Sequence, residues 1–291
     1  MLLRANAKIN LALDVLRKRE DGYHEVRMIM QTVGMYDRVT LTPLPGETGV
    51  RMETSLPYLP ANEKNLAWKA ASLLMEEFHV EGGLHIRLDK FIPVAAGLAG
   101  GSSDAAAALV GVNELFSLGL ARNGLMERGA KIGADVPYCI LQGTALAEGI
   151  GEKLTSLPPM PKSWILISRP NISVSTKQVY GALAADRIKE HPDVDGMIEA
   201  IRARSLAGIA SRMGNVLESV TIPDNPVIET LKQEMLRGGA MASLMSGSGP
   251  TVFGLFSDRD RAEILRDDLR KRYPGVRTFL TWPVNGGGNR I

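Results

Sequence analysis

Cysteine, histidine and long apolar stretches are all scarce in this chain of 291 residues. Its single cysteine, Cys139, excludes a disulfide within the chain, and its four scattered histidines form no Cys/His cluster with the spacing of metal ligands. No apolar run reaches the roughly 18 residues that are needed to span a bilayer, and the N-terminus lacks the charged-then-apolar pattern of a signal peptide. We therefore expect a protein of a reducing compartment, the cytoplasm, with no membrane partner.

An excess of charge of either sign is also missing. Thirty-four basic and 32 acidic side chains leave a formal net charge of +2. This balance argues against a nucleic acid that is held mainly by bulk charge, although it leaves a local basic patch open. A small anionic ligand, in contrast, needs only a few local groups.

The chain does contain a loop of small residues, at positions 92–106. It reads Ile-Pro-Val-Ala-Ala-Gly-Leu-Ala-Gly-Gly-Ser-Ser-Asp-Ala-Ala and runs into an alanine-rich helical stretch. Gly97, Gly100 and Gly101 let the main chain bend tightly and approach a ligand without clashes from Cβ atoms. Because the free amides at the start of a helix attract anions, the pattern indicates a phosphate-binding loop.

Ser102 and Ser103, which follow the glycines, are expected to cap the helix. The loop lacks the Lys-Ser/Thr ending of a Walker A motif, and its glycines do not fit the G-x-G-x-x-G spacing of dinucleotide sites. Taken alone, it is equally typical of a glycine-rich turn before a buried helix. Only the rest of the chain can favour a phosphate loop over a plain turn.

Alternation of polar and apolar residues predicts a half-buried strand at residues 3–13. Its apolar face would carry Ala5, Ala7, Ile9, Leu11 and Leu13, and its polar face Asn6, Lys8, Asn10 and Asp14. Further strands are expected at 26–33, 37–42 and 84–88, helices at 65–78, 103–116 and 125–132, and β-like structure at 138–147.

Three prolines in the run Pro158-Pro159-Met160-Pro161 interrupt both helical and strand patterns. We therefore divide the chain into an N-terminal domain at 1–157 and a C-terminal domain at 158–291. The later patterns follow the order strand, helix, strand, strand, helix, strand, which is typical of a ferredoxin-like domain. Additional helices at 176–185 and 194–213 would be inserted after its first strand.

Three segments together resemble the GHMP small-molecule kinase family. They are the strand that carries Lys8, the loop Pro-x-x-x-Gly-Leu-x-x-Gly-Ser-Ser-x-Ala, and a second glycine turn at 246–256, Ser-Gly-Ser-Gly-Pro-Thr-Val-Phe-Gly-Leu-Phe. Their order along the chain is the family's order. The resemblance implies a two-domain α+β fold, with a ribosomal S5 domain 2-like N-terminal domain and a ferredoxin-like C-terminal domain. ATP would bind the loop, and the acceptor would bind in the cleft between the domains.

The segments at 7–11 (Ala-Lys-Ile-Asn-Leu), 19–24 (Arg-Glu-Asp-Gly-Tyr-His) and 133–137 (Gly-Ala-Asp-Val-Pro) are similar to the branch of this family that phosphorylates a cytidylylated sugar alcohol. The resemblance makes Asp135 the base that receives the proton of the acceptor hydroxyl, and Lys8 the cation beside it. Phosphoryl transfer needs mainly positioning, charge neutralisation and such a proton acceptor. Alone, a turn aspartate and a solvated lysine would be the commoner interpretations.

The resemblance also assigns the ligand contacts, with Asn65 and Lys90 beside the adenine. The expected ATP-binding residues are Asn65, Lys90, Pro93, Ala95, Gly97, Leu98, Ala99, Gly100, Gly101, Ser102 and Ser103. The expected acceptor-binding residues are Asn10, Tyr23, His24, Asp135 and Tyr180. Surface polarity is the alternative for Asn65 and Lys90, and core packing is the alternative for Tyr180.

Mg²⁺ is expected together with ATP, but its protein ligands remain open. Asp104, at the start of the helix, is either a contact of the metal or a structural residue that the helix dipole stabilises.

Two other functions compete with this interpretation. Another GHMP kinase, for homoserine or mevalonate, would use the same loop, and the Tyr23-His24 pair argues against it. A non-catalytic nucleotide- or RNA-binding module is an alternative of a different class, because a fold alone does not define a function. The near-neutral charge and the Lys8/Asp135 pair argue against the module. We expect no nucleic-acid partner, a monomer or weak homodimer, and a bacterial source, since no transit peptide is evident.

Overall fold

Two β-sheets with helices packed against them form the protein, and a computed structural model describes residues 1–286. Residues 287–291 of the expected second domain lie outside the described residues. The strands are β1 (Leu2–Lys18), β2 (His24–Leu44), β3 (Gly49–Thr54), β4 (Gly83–Asp89), β5 (Thr144–Gly149), β6 (Lys153–Ser156), β7 (Trp164–Arg169), β8 (Gly214–Asn215), β9 (Ala242–Met245), β10 (Val252–Phe256) and β11 (Arg277–Thr281). The helices are α1 (Leu66–Glu77), α2 (Gly100–Leu115), α3 (Arg122–Ala130), α4 (Val136–Leu141), α5 (Thr176–Ala182), α6 (Val194–Arg202), α7 (Leu206–Ala210), α8 (Glu218–Asp224), α9 (Val227–Arg237) and α10 (Arg259–Arg272).

The first sheet has the strand order β3-β4-β2-β1-β8, with β5 also paired to β2 and β6 to β5. Its centre is β2, a strand of 21 residues that pairs with β5 through its first part and with β4 through its last part. The two strands expected at 26–33 and 37–42 are therefore parts of one long strand. Helices α1 and α2 pack together over this sheet, and α2 contacts both β1 and β2.

Two β-bulges where β1 pairs with β2 decide which side chains of β1 face the cavity described below. The register of β1 against β2 shifts between Asn6 and Lys8 and again between Asn10 and Ala12. At the first shift β2 advances by four residues while β1 advances by two, and at the second β1 advances by two while β2 advances by one. The alternation of side chains along β1 reverses at both places. The single apolar face expected at 3–13 was therefore wrong. One core cluster takes Leu3, Ala5, Leu13 and Val15, and the other takes Ala7, Ile9, Leu11 and Ala12.

This reversal places Lys8 and Asn10 on the side of the sheet that is otherwise apolar. By alternation they share the face of Leu13, and all three line the same cavity. Asn6 and Asp14, which were expected beside them, lie on the opposite face by the same rule. The bulges thus open a short polar gap within an apolar surface.

The second sheet confirms the ferredoxin-like prediction. Its strand order is β11-β7-β10-β9, every neighbouring pair is antiparallel, and α9 and α10 pack on it. Helices α5 to α8 are inserted after β7, as expected, but the helix expected at 194–213 is divided into α6 and α7. Arg204, between them, has a φ of 53°, a left-handed conformation that ends a helix. The domain division at 157/158 stays a prediction, and β8 from the later half joins the first sheet beside β1.

Two further expectations about local structure were wrong. Helix α2 begins at Gly100, with Ala99 as its N-cap and no side-chain cap, so Ser102 and Ser103 lie inside the helix. Residues 138–147 are not continuous β-structure, because α4 covers their first part and β5 their last. Pro137 favours a helix start, and a short buried apolar run fits either structure. In residues 1–286 no helix is long and apolar enough to cross a membrane.

Gly111 tests how closely α2 lies on the first sheet. A Cβ at this buried position would be 2.7 Å from Leu3 Cδ1 and closer still to Leu41 Cδ1, and both leucines are fully buried. We expect Gly111→Ala to destabilise the protein by about 1–3 kcal/mol, the usual cost of overpacking a core. Gly124→Ala, in α3, is the matched control, because its Cβ would meet only ordinary contacts at 3.5 Å or more. The control should stabilise by about 0.5–1 kcal/mol. Denaturant unfolding of both variants measures the difference, and equal effects would contradict the close packing.

Candidate active site

A cavity of about 940 Å³ is lined by residues from both halves of the chain. Its walls include the end of β1, the loop before α2, the residues before α4, helix α5 and the second glycine turn. All three segments that carry the family resemblance therefore meet at one place.

The two glycine turns touch each other through their main chains. Gly97 has a φ of +73°, and a Cβ at this position would overlap the carbonyl oxygen of Ser246. Ser246 Oγ donates a hydrogen bond of 2.9 Å to Gly97 O. On the other side of the loop, Lys8 N donates to Leu98 O over 3.1 Å. Only glycine fits at position 97, because the main chain of the second turn occupies the space of a side chain.

The loop also holds two alanines in the left-handed region. Ala95 has a φ of 51° and Ala99 a φ of 55°. Such conformations are costly for residues other than glycine and are concentrated at functional sites. After Ala99, the first amides of α2 have no acceptor within the helix, and they face an anion-binding position. This geometry fits the phosphate loop expected from the sequence.

Two of the expected ATP-binding residues lie outside the cavity lining. Ser103 Oγ donates to Asn6 O over 2.5 Å and contacts Cys139 Sγ, while Ser103 N donates to Ala99 O. Leu98 is 1% exposed and packs in the core. Helix geometry explains the position of Ser103, because it follows the exposed Gly101 by two residues in α2 and so faces the sheet. The other nine expected residues line the cavity.

Lys8 and Asp135 lie together, as the sequence predicted. Lys8 Nζ is 3.8 Å from Asp135 Oδ2 and donates to Asn10 Oδ1 over 2.7 Å. The lysine side chain is 6% exposed and the aspartate side chain 32%, so the carboxylate lies at the mouth of the cavity with the cation behind it. Asn10 Nδ2 in turn contacts Met28 Sδ. Asn10 therefore orients the ammonium group from within the sheet.

Lys90 belongs to a buried cluster of three charges. Its Nζ donates to Asp104 Oδ2 over 2.6 Å and to Asp37 Oδ2 at close range, and the lysine side chain is only 4% exposed. Asp37 Oδ1 accepts the amides of Phe91 and Ile92. The surface alternative for Lys90 was therefore wrong. Asp104, the candidate metal ligand, is engaged by a protein cation.

The pKa values in this cluster are shifted from their usual ranges. Burial lowers the pKa of Lys90, but the carboxylates of Asp104 and Asp37 outweigh it and raise the pKa overall. Burial raises the pKa of Asp104 well above its usual range, against the opposing effect of Lys90. Lys90 therefore remains charged at neutral pH. One Asp104 oxygen, Oδ1, is buried and has no hydrogen-bond partner within residues 1–286.

Asn65 has a structural use of its own. Its Oδ1 accepts from Ala67 N over 3.0 Å as the N-cap of α1, and its Nδ2 donates to Pro60 O over 2.9 Å. The side chain nevertheless lines the cavity, next to Leu66. The amide that was expected beside the adenine is thus fixed in place by the helix start.

Aromatic side chains form the opposite end of the cavity. The rings of His24 and Tyr180 are 5.3 Å apart and tilted by 46°, and Tyr23 beside them is 60% exposed. Burial lowers the pKa of His24, and the nearby Lys18 lowers it further, so the imidazole is neutral at pH 7 and has one donor and one acceptor. All three expected aromatic residues line the cavity.

Within residues 1–286, five polar side chains of the lining were not expected from the sequence: Lys18, Lys64, Thr176, Lys177 and Ser248. Thr176 Oγ1 and Ser248 Oγ share a hydrogen bond of 2.8 Å, which joins α5 to the second glycine turn. Ser248 could have been found, since it lies within that turn. The lysines have no local pattern that separates them from solvated surface residues.

Comparisons with known proteins identify the family of the chain. The family model described as the GHMP kinases N terminal domain matches residues 65–143, and the model described as GHMP kinases C terminal matches residues 197–275. A protein of Lachnospira eligens named 4-diphosphocytidyl-2-C-methyl-D-erythritol kinase is 54% identical over 279 residues, 96% of each chain. A protein of the same name from Bacillus subtilis is 51% identical over 270 residues, 93% of each chain.

Solved structures give the same result. A crystal structure of 4-(cytidine 5'-diphospho)-2C-methyl-D-erythritol kinase has a TM-score of 0.84 and 33% identity, over 99% of this chain and 100% of that one. Homoserine kinase from Cytophaga hutchinsonii, at 20% identity and a TM-score of 0.75, shares the fold over 99% of this chain and 96% of its own. With matches over both halves and relatives above 50% identity along nearly the whole length, the chain belongs to the GHMP kinase family.

Proposed function

We propose that this protein transfers the γ-phosphoryl group of ATP to the 2-hydroxyl of 4-diphosphocytidyl-2-C-methyl-D-erythritol, in the non-mevalonate route to isoprenoid precursors. One observation supports this function above the others. A single cavity combines a phosphate loop, the Lys8–Asp135 pair and the His24–Tyr180 ring pair. These are the groups that a nucleotide donor, a hydroxyl acceptor and a cytosine ring each require. The full-length relatives carry the name of the same kinase.

The reaction needs little covalent help from the protein. The acceptor hydroxyl attacks the γ-phosphorus, the bond from this phosphorus to the β,γ-bridging oxygen breaks, and ADP leaves. Asp135 Oδ2 accepts the proton of the hydroxyl, since it lies at the mouth of the cavity where an acceptor enters. Lys8, held by Asn10, stabilises the negative charge that develops on the transferring group.

At the nucleotide end, the first amides of α2 bind phosphate oxygens, and Asn65 and Lys90 lie by the adenine. We expect Mg²⁺ to bind together with ATP. The side chains do not form a site for it: residues 1–286 include no group of three or more His, Cys, Asp or Glu that could hold a metal, and Asp104 is paired with Lys90. The phosphate oxygens would therefore have to supply most of its ligands.

An acceptor screen tests the function directly. Purified protein with ATP and Mg²⁺ is given the cytidylylated methylerythritol, homoserine, mevalonate or galactose, and ADP release and phosphorylated product are measured. We expect turnover with the cytidylylated acceptor alone. Equal activity on an acceptor without cytosine would overturn the substrate and leave the kinase standing, whereas no ATP turnover with any acceptor would favour a binding module.

Asp135→Asn tests the proposed base. The amide keeps the shape of the side chain but does not accept a proton at neutral pH, so kcat should fall by about 10² to 10⁴ while ATP affinity stays the same. Asp260→Asn, on the outer helix α10, removes the same charge outside the cavity and should leave kcat unchanged. A near-normal kcat for Asp135→Asn would show that another group is the base. Lys8→Ala should also lower kcat, and an effect on KM alone would make Lys8 a binding residue.

Gly97→Ala tests the contact between the two glycine turns. The added Cβ would overlap Ser246 O at a φ of +73°, so the loop must move away from its phosphate-binding position. Since strain of this kind costs about 1–3 kcal/mol, we expect the Kd for ADP to rise at least about tenfold. Gly275→Ala is the control, because nothing lies within 4 Å of its Cβ position. Calorimetry with the folded variants decides, and an unchanged ADP affinity for Gly97→Ala would remove this contact from the nucleotide site.

A further inference from the structure

The cavity contains more positive charge than its own carboxylates balance. Five lysines line it: Lys8, Lys18, Lys64, Lys90 and Lys177. Lys8 faces Asp135, and Lys90 is paired with Asp37 and Asp104. The side chains of the other three lysines have no ion pair or hydrogen bond to any part of the chain that the structure describes, and Asp104 and Asp135 are the only acidic residues in the lining of this part.

The unpaired lysines lie at different ends. Lys64 directly precedes Asn65, at the nucleotide end. Lys18 is the last residue of β1 and the cross-strand partner of His24, and its charge is close enough to lower the pKa of that imidazole. Directly opposed residues of an antiparallel pair have Cβ atoms about 4.5–5.5 Å apart. Lys18 therefore lies beside the imidazole of the ring pair.

Lys177 lies beside the other ring of that pair. It is in the first turn of α5, three residues before Tyr180, and residues at this spacing are neighbours on one helix face. The next residue towards the N-terminus, Thr176, is tied to Ser248 of the second glycine turn, which fixes the start of α5 against the cavity. Two uncompensated cations, one from the first sheet and one from the inserted helix, thus flank the aromatic end.

A flat ring that carries a polyanion matches this arrangement. Stacking on the aromatic side chains would hold the base, and ammonium groups at the two sides would meet phosphate oxygens. We propose that Lys18 and Lys177 bind the diphosphate of the acceptor, so that the aromatic end selects a nucleoside diphosphate over a nucleoside or its monophosphate. The proposal rests on the cytidylylated acceptor of the proposed function, and it adds two residues that bind the diphosphate of this acceptor.

Selectivity for the diphosphate should come from the two lysines. Each lysine would form a charge-assisted hydrogen bond, the strength of which corresponds to about a tenfold change in Kd or more. Because the two lysines are exposed, the interaction should weaken as salt screens it. The stacking of the base should not change with salt in the same way.

Calorimetry with cytidine, CMP and CDP as probes tests the proposal. ADP is kept at saturation, so that CDP is confined to the acceptor end. In the unmodified protein, affinity should increase from cytidine to CDP, and the increase should shrink at higher salt. In the double variant Lys18→Ala/Lys177→Ala, the Kd for CDP should rise about 100-fold, because two hydrogen bonds of about tenfold each are lost. The Kd for cytidine should stay within about twofold.

Three variants serve as controls. Lys162→Ala/Lys189→Ala removes two exposed lysines that do not line the cavity, and it should leave the CDP affinity unchanged. Tyr180→Ala should weaken cytidine, CMP and CDP alike, because all three stack on the ring. Lys18→Arg/Lys177→Arg keeps the charges and should restore most of the CDP affinity. Thermal unfolding of each variant checks that the fold is intact.

The outcomes separate the two proposals. If the double alanine variant binds CDP within twofold of the unmodified protein, or loses cytidine affinity to the same extent, the lysines do not read the diphosphate and the proposed function still stands. If the unmodified protein binds neither cytidine nor CDP, the cytidylylated acceptor is wrong and the role of the lysines falls with it.

Discussion

The approach of two main chains at Gly97 and Ser246 is the constraint on which the site depends. These residues are 149 positions apart in the sequence, and yet the side chain of one would overlap the carbonyl oxygen of the other. The same loop is bound to β1 through the hydrogen bond from Lys8 N to Leu98 O. One small stretch of backbone therefore fixes the phosphate loop, the strand that carries Lys8 and the second glycine turn relative to one another. The contact leaves the loop no room to shift towards the second turn.

The buried charges of Asp37, Lys90 and Asp104 hold the other side of the same loop. Taking three charges out of water is costly, and it is tolerated where good geometry and backbone donors offset the cost. Asp37 receives two main-chain amides as well as the lysine, so it joins β2 to the start of the loop, while Asp104 joins α2 to the same lysine. Both ends of the loop are thereby anchored to one ammonium group. Removing Lys90 would leave two carboxylates in the protein interior without a cation.

The sequence predicted those features that depend on local pattern or on a short motif. The ferredoxin-like order of strands and helices was found from its periodicities, and the glycine loop before α2 from its composition. The Lys8–Asp135 pair was expected only from the family resemblance, because neither residue has a local pattern that points to the other. The two bulges between β1 and β2 were not found, since alternation continues unbroken along β1 in the sequence and only its pairing with β2 reveals the shifts of register. Ser103 was misplaced for a related reason: its direction depends on where α2 begins, and the left-handed Ala99 sets that start without any capping residue. The buried position of Lys90 depends on two aspartates that are distant in sequence, and no local signal connects them.

The short strand β8 has a consequence for how the chain is made. It pairs with β1 at Ala12 and Leu13, and Asn215 also donates to the carbonyl oxygens of Met245 and Gly247. Until residue 215 has been synthesised, the outer edge of β1 at Ala12 and Leu13 presents unpaired backbone groups, and strands of other chains can add to such an edge. A strand from the second half of the chain therefore completes the sheet of the first half. A fragment that ends at the proline run would keep most of the first sheet but expose this edge. We therefore expect such a fragment to associate with its own copies rather than simply to unfold.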